Sequence, residues 1–251
     1  MARIDLTGLR VLNTRPFPQN KPLSRSITNA GGEVIECPAL EIVANAFQPP
    51  EHGKADYAIF TSANAVTYAQ ASLKNWPQHM QVIAIGQATA NALQQYGITV
   101  TAIPTSADSE NLLALPMLQH ISQSTILLFK GVGGRTLIAD TLRQRGAHVI
   151  ELAVYQRAMP RINQEQLAAW WHNDAVDIIL FTSHEVMLNI FKLFGEQAHA
   201  WLRHKPCLVF GDRLAKEANR LGIVTIIISA PETILEKLHH FNQGLTHGNK
   251  R

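Results

Sequence analysis

Asp56–Val66 (DYAIFTSANAV) and Asp177–Met187 (DIILFTSHEVM) repeat one another, which restricts the chain to folds that use one unit twice. Two further pairs follow the same order. Ile83–Ile98 (IAIGQATANALQQYGI) matches Leu208–Ile223 (LVFGDRLAKEANRLGI), and the strands of Arg10–Pro38 match those of Thr125–Ala153. Any two strand-helix units look somewhat alike. Here, however, Phe-Thr-Ser and the frame Gly-helix-Gly-Ile recur in one sequence order, which argues for a duplication.

Short apolar runs alternate with longer amphipathic ones. The pattern predicts strands at Arg10–Asn13, Glu33–Glu36, Asp56–Phe60, Gln81–Ile85, Ile98–Ala102, Thr125–Lys130, His148–Leu152, Asp177–Phe181, Cys207–Phe210 and Val224–Ile228. It predicts helices over Pro18–Ala30, Ala63–Lys74, Ala88–Tyr96, Ser109–Gln119, Arg135–Arg145, Gln164–His172, Glu185–Phe194, Arg213–Leu221 and Glu232–Phe241, with Ser109 as an N-cap. Strands that are apolar throughout and separated by helices imply an α/β fold with parallel sheets covered on both faces. Ligands of such sheets sit beyond the carboxyl ends of the strands.

The repeat also predicts the chain's path. One domain runs over residues 44–152. Its partner combines residues 1–37 with 158–251, and residues 38–43 and 153–157 are the crossings, able to pair as a short ladder. The two halves are expected to form a site between them.

Of the 251 residues, 46% are apolar and 16% charged, enough apolar side chain for full cores. Only the polar tail Gly244–Arg251 reads as unstructured. No run approaches ~18 uncharged apolar residues, and the N-terminus has no signal-peptide pattern. Cys37 and Cys207 are isolated in apolar surroundings, so buried thiols and a cytoplasmic location are expected, and no cluster has zinc-ligand spacing. The formal charge of +3 and pI near 9.0 suit an anionic small molecule. The Lys and Arg residues are scattered, which disfavours nucleic acid. No apolar surface stripe demands a dimer, so a monomer is expected.

The motifs lie where strands open into helices. Thr61, Ser62, Thr182 and Ser183 offer hydroxyls and backbone N–H groups there, suited to a carboxylate or phosphate, although capping alone also explains them. Gly86 with Thr89, and Gly211 with Asp212-Arg213, occupy similar turns. Lys130-Gly131-Val132-Gly133-Gly134-Arg135 is a glycine-rich loop beside two cations, but it matches neither the P-loop nor the dinucleotide fingerprint. Arg15 holds the equivalent place in the other half. Tyr155, on the second crossing, is either a positioned donor or an aromatic that packs the hinge. His184 after Phe-Thr-Ser is a weaker candidate donor.

Together these residues resemble the uroporphyrinogen-III synthase family. The resemblance rests on Leu12-Asn13-Thr14-Arg15-Pro16, Phe60-Thr61-Ser62-Ala63-Asn64-Ala65-Val66, Ala84-Ile85-Gly86-Gln87-Ala88-Thr89-Ala90, Ser109-Glu110-Asn111-Leu112-Leu113, Gly134-Arg135 with Arg145-Gly146-Ala147, Val154-Tyr155-Gln156-Arg157 and Phe181-Thr182-Ser183. It implies two flavodoxin-like three-layer domains joined by a two-stranded linker. It also implies a cofactor- and metal-free hydro-lyase that closes the linear tetrapyrrole hydroxymethylbilane to uroporphyrinogen III. Water is lost and ring D is inverted through a spiro intermediate. The family's key tyrosine falls on Tyr155, as an aid to departure of the hydroxyl. Arg15, Thr61, Ser62, Gly86, Thr89, Lys130, Arg135, Thr182, Ser183 and Arg213 become expected substrate contacts. The chain departs from the family where Gly211 is followed by Asp212-Arg213-Leu214 rather than threonines, trading a hydroxyl for charge.

Two rival readings use the same features. One is a two-lobed cytosolic protein that closes on an anion without chemistry. The other is a flavodoxin-like enzyme using flavin or nucleotide, which a colourless purified protein would disfavour.

Overall fold

The computed structural model describes residues 4–48, 54–74 and 76–248. They group into two compact units, one of residues up to Glu41 together with those from Met159 onward, the other of Ile42–Ala158.

The first unit contains β1 (Arg10–Asn13), α1 (Asn20–Asn29), β2 (Glu33–Glu36), α6 (Gln164–His172), β8 (Ile178–Phe181), α7 (His184–Phe194), α8 (His199–His204), β9 (Cys207–Phe210), α9 (Gly211–Arg220), β10 (Ile226–Ser229) and α10 (Ile234–Gly248). Its sheet has the order β10-β9-β8-β1-β2, and every pairing in it is parallel. Side chains alternate between two cores, as strand pleating requires. Leu12, Ile179, Phe181, Cys207 and Val209 enter one core, while Val11, Ile178, Leu180 and Leu208 enter the other. Both thiols are fully buried, and burial pushes each up to about 12.

The second unit contains β3 (Glu41–Ala44), β4 (Tyr57–Phe60), α2 (Ala63–Tyr68), β5 (Gln81–Ala84), α3 (Gln87–Gln94), α4 (Ser109–Leu113), β6 (Thr125–Gly131), α5 (Leu137–Gln144) and β7 (His148–Ala158). Its order is β3-β7-β6-β4-β5. Ala58, Phe60, Leu127 and Phe129 face one core, and Ile59, Ile126 and Leu128 the other. Phe60 and Phe129 are register partners and stack at 4.4 Å, with 3° between their planes.

The internal repeat has a spatial counterpart. If β7, β6, β4 and β5 are set against β2, β1, β8 and β9, the neighbours agree throughout. The fifth place, held by β10 in the first unit, falls to a single parallel bridge from Ile83 to Ala102 in the second. The repeated aspartates make the same bonds. Asp56 accepts from the Thr125 backbone N–H at 2.8 Å and donates its own to Thr125 O at 2.9 Å. Asp177 does the same with Arg10, at 2.8 and 2.9 Å, and adds a two-pronged ion pair to its guanidinium. Each unit thus has the flavodoxin-like strand order, circularly permuted in the second.

Several expected elements differ. Ile98–Ala102 forms only the bridge at Ala102. Pro116 starts a separate 3-10 turn, so the helix expected over Ser109–Gln119 stops at Leu113. The helix expected to Lys74 ends at Tyr68, with a 3-10 turn at Gln70–Ser72. Helix α8 lies outside the expected helices, and α10 continues through part of the tail to Gly248. Residues 249–251 of that tail lie outside the described residues. The stretch 153–157 is continuous with His148–Leu152 in one strand, β7, which neighbours β3.

Candidate active site

The chain leaves β4 for β5 on one side and returns to β6 on the other, so the switch point of the second sheet lies at the carboxyl ends of β4 and β6. A pocket of about 330 Å³ opens there. Thr61, Lys130, Arg135, Tyr155 and Arg157 bring polar groups to it, together with Asp108, Ser109 and the backbone of Gly131–Gly134.

Tyr155 reaches this pocket through an irregularity. Along β7, Ile150, Leu152 and Val154 face one core in alternation, and regular pleating would turn Tyr155 to the other side. The register with β6 instead shifts, from Lys130 opposite Ala153 to Gly131 opposite Tyr155. This bulge lets consecutive Val154 and Tyr155 pack against the same core. The half-buried ring lies 6.0 Å from that of Tyr68, and its hydroxyl is 3.1 Å from Ser62 Oγ.

Ser62 is the N-cap of α2 and accepts the Ala65 N–H at 3.0 Å. Ser183 caps α7 in the same way, accepting the Val186 N–H at 3.2 Å. Thr61 donates its hydroxyl to Phe129 O at 3.2 Å, so its first task is to join the ends of β4 and β6.

Both pocket cations expected from the sequence have internal partners. Lys130 Nζ lies 2.9 Å from Glu151, which also takes Arg143 at 2.8 Å. The Lys130 ammonium, and then Arg143, hold the Glu151 carboxyl below its usual range. Arg135 forms a fork on exposed Glu110, with one arm at 3.3 Å. Arg135 lowers the Glu110 pKa, and Glu110 raises that of Arg135. The cap of α4 is Asp108 rather than Ser109. Its carboxylate takes the Asn111 N–H at 2.7 Å, the main reason its pKa is lowered.

The turn after β5 carries two of the expected contacts, Gly86 and Thr89. Thr89, expected to meet substrate, is buried, only 3% exposed. Gly86 is extended at φ −172°, and a Cβ there would stand 2.8 Å from that of Ala107. Its lack of a side chain admits the neighbouring loop. Gly211 differs, with φ +75° and open space around it, so it serves the turn itself.

In the first unit, Thr182 and Ser183 follow β8, and Arg213 is exposed in the first turn of α9. No carboxylate pairs with Arg15 or Arg213 among the described residues. Buried polar residues support Arg15 from beneath, a role not among those expected from the sequence. Asn13 Oδ1 accepts the Arg15 N–H at 3.3 Å, and Asn13 Nδ2 donates to Ser24 Oγ at 3.0 Å and to Asn20 O at 3.2 Å. Thr14 donates to Leu180 O. The signal was present as two polar residues ending an apolar strand. His184 lies 3.8 Å from Glu217, a partner only for the protonated ring.

A family model described as uroporphyrinogen-III synthase HemD matches residues 21–236. The chain belongs to the uroporphyrinogen-III synthase family. The uroporphyrinogen-III synthase of Escherichia coli K12 is 33% identical over 226 residues, covering 85% of this chain and 92% of that protein. That of Proteus mirabilis is 36% identical over 182 residues, covering 68% and 92%. The solved synthase of Helicobacter pylori 26695 aligns with a TM-score of 0.58 over 94% of this chain and 99% of its own, at 17% identity. A mutant synthase from Thermus thermophilus gives 0.57 over 96% and 100%, also at 17%. At that identity the solved synthases support the fold alone.

Among the described residues no helix is long and apolar enough to cross a membrane. Nor does any group of three or more His, Cys, Asp and Glu stand ready for a metal.

Proposed function

We propose that this chain converts hydroxymethylbilane to uroporphyrinogen III, losing water and inverting ring D, in tetrapyrrole biosynthesis. The observation that carries this reading is the Tyr155 hydroxyl, placed 3.1 Å from Ser62 at the edge of a cation-bearing pocket at a sheet switch point. The family membership and the named relatives support it.

The steps ask little acid-base power of the protein. The pyrrole nitrogen expels the hydroxyl, which needs one donor to leave as water. Either hydroxyl can donate in this contact; we assign the Ser62 proton to the Tyr155 oxygen, with the Ala65 N–H held on one lone pair of Ser62 Oγ. The phenol proton is then free for the leaving hydroxyl, in a chain whose bonds polarise one another. The harder task is choosing closure with inversion over simple closure, which is a matter of holding both ends of a polycarboxylate. We assign Lys130 and Arg135, with Arg15, Thr182, Ser183 and Arg213 of the first unit, to its carboxylates. Thr61 and Gly86 shape the pocket wall.

Dehydration with ring closure changes no overall oxidation state, so the proposed reaction balances without a redox cofactor. The proposal includes a cytoplasmic monomer with no nucleic-acid partner. Supplying hydroxymethylbilane and separating type I and type III isomers after oxidation tests the activity. An excess of type III over the uncatalysed mixture is expected, and its absence refutes the reading.

A further inference from the structure

We propose that Gly131 is a positioning residue for the Tyr155 phenol, an assignment that rests on the function proposed above. Gly131 lies against the phenol end of the ring. A Cβ built on it would stand 2.7 Å from Cζ, 2.8 Å from Cε2 and 3.1 Å from the hydroxyl oxygen of Tyr155. Real side chains do not tolerate the first two distances. Gly131 does not take a positive φ, so backbone conformation does not require glycine there. What excludes a side chain is the phenol.

Three features converge on this one ring. The register shift between Lys130 and Gly131 sets Gly131 opposite Tyr155 and turns the ring to its side of the sheet. The bare Cα of Gly131 lets the phenol end of the ring come close to the end of β6. Ser62 Oγ then meets the hydroxyl from β4's side at 3.1 Å. The bulge aims the phenol, the glycine sets its depth and the serine fixes its tip. The ring is the movable partner. Adding a methyl at Gly131 displaces the far end of a side chain rather than backbone, so the protein still folds while the hydroxyl leaves Ser62 and the pocket. A shift of about 1 Å in a reacting group is enough to cost on the order of 100-fold in rate.

The test is a pair of mutant cycles on the full chain. Gly131→Ala is expected to lower kcat roughly tenfold or more, with KM within about twofold of wild type. Added to Tyr155→Phe, which already lacks the donor, Gly131→Ala is expected to change kcat by less than about twofold. A general disturbance of the loop would instead give equal losses in both backgrounds, and that result overturns the assignment. So does an unimpaired Gly131→Ala protein. A second cycle uses thermal unfolding and needs no activity. Gly131→Ala is expected to lower Tm when Tyr155 is present and to leave it unchanged in Tyr155→Ala, where the methyl has room. An equal loss in both backgrounds refutes the contact, even if Gly131→Ala alone is too unstable to assay. If wild type makes no excess type III isomer, or Tyr155→Phe keeps full turnover, the reading beneath this one fails and the catalytic assignment falls with it. An active wild type with a crippled Tyr155→Phe and an intact Gly131→Ala overturns the glycine's role alone.

Discussion

The Tyr155 hydroxyl and Ser62 Oγ stand 3.1 Å apart, across the carboxyl ends of two strands that are not sheet neighbours, since β6 separates β4 from β7. The two residues are 93 apart in the chain, so the fold alone brings them together. Removing the phenol oxygen and removing its support should differ in size. Tyr155→Phe is expected to lower kcat roughly 100-fold with little change in KM, the range for loss of a positioned acid. Ser62→Ala leaves the phenol in place and should cost less in kcat. It also removes the cap of α2, worth about 1 kcal/mol of stability. Steady-state kinetics together with urea unfolding separate the two effects. Equal kcat for Tyr155→Phe and wild type would remove Tyr155 from the mechanism.

If Arg135 takes a substrate carboxylate, as proposed, Glu110 competes with substrate for it. The pair is exposed on both sides, with side-chain exposures of 64% and 56%, so it adds little to stability. Its consequence should lie in binding. Glu110→Gln frees the guanidinium fork for a substrate carboxylate and is expected to lower KM severalfold, with kcat nearly unchanged. Arg135→Ala should raise KM. If both variants keep the wild-type KM at low salt, Arg135 is not a carboxylate contact.

The duplication was legible because its signature is local. The Phe-Thr-Ser turns and the alternating apolar strands are each read from adjacent residues, and the strands of both sheets follow. What depended on distant register was hidden. The bulge that turns Tyr155 arises from pairing between β6 and β7, and no residue type announces it. Thr89 reads as an exposed first-turn hydroxyl until packing buries it. Lys130 reads as a free cation until β7 brings Glu151 beside it. Sequence shows which groups are present near a strand end, but partners across the sheet decide which of them are already engaged.

Gly86 and Gly211 occupy matching places in the repeat yet should respond differently to alanine. Gly211 has φ +75° with nothing within 4 Å of an added Cβ, so Gly211→Ala incurs only left-handed backbone strain, about 1–2 kcal/mol. Gly86→Ala meets the Ala107 Cβ at 2.8 Å while its extended backbone is unstrained. Because Ala107 and Asp108 line the pocket, relief of that clash moves the pocket wall. Gly211→Ala should therefore lower Tm, whereas Gly86→Ala should impair turnover more than its stability loss explains. Unfolding curves and kcat/KM measured on the same preparations check this. Wild-type kcat/KM in Gly86→Ala would rule out its wall-setting role.

Glu151 links acid stability to the pocket cation. Its folded pKa is lowered from the ordinary 4.5, first by the hydrogen bond from Lys130 and then by Arg143. A carboxylate with a depressed folded pKa contributes stability that is fully present above its unfolded value. That contribution is lost as pH falls through the folded value, because the unfolded chain then binds the proton more readily. Glu151→Gln removes the contribution at every pH. The variant should be less stable than wild type near neutrality, and the gap should close as the pH drops below about 4.5 toward the lowered folded value. Urea unfolding at several pH values measures the gap, and a gap independent of pH would mean that the ion pair contributes nothing. The same variant releases Lys130, whose side chain is only 15% exposed, beside the pocket. If Lys130 takes a substrate carboxylate, Glu151→Gln lowers KM even as it weakens the fold, a combination that simple structural damage does not produce.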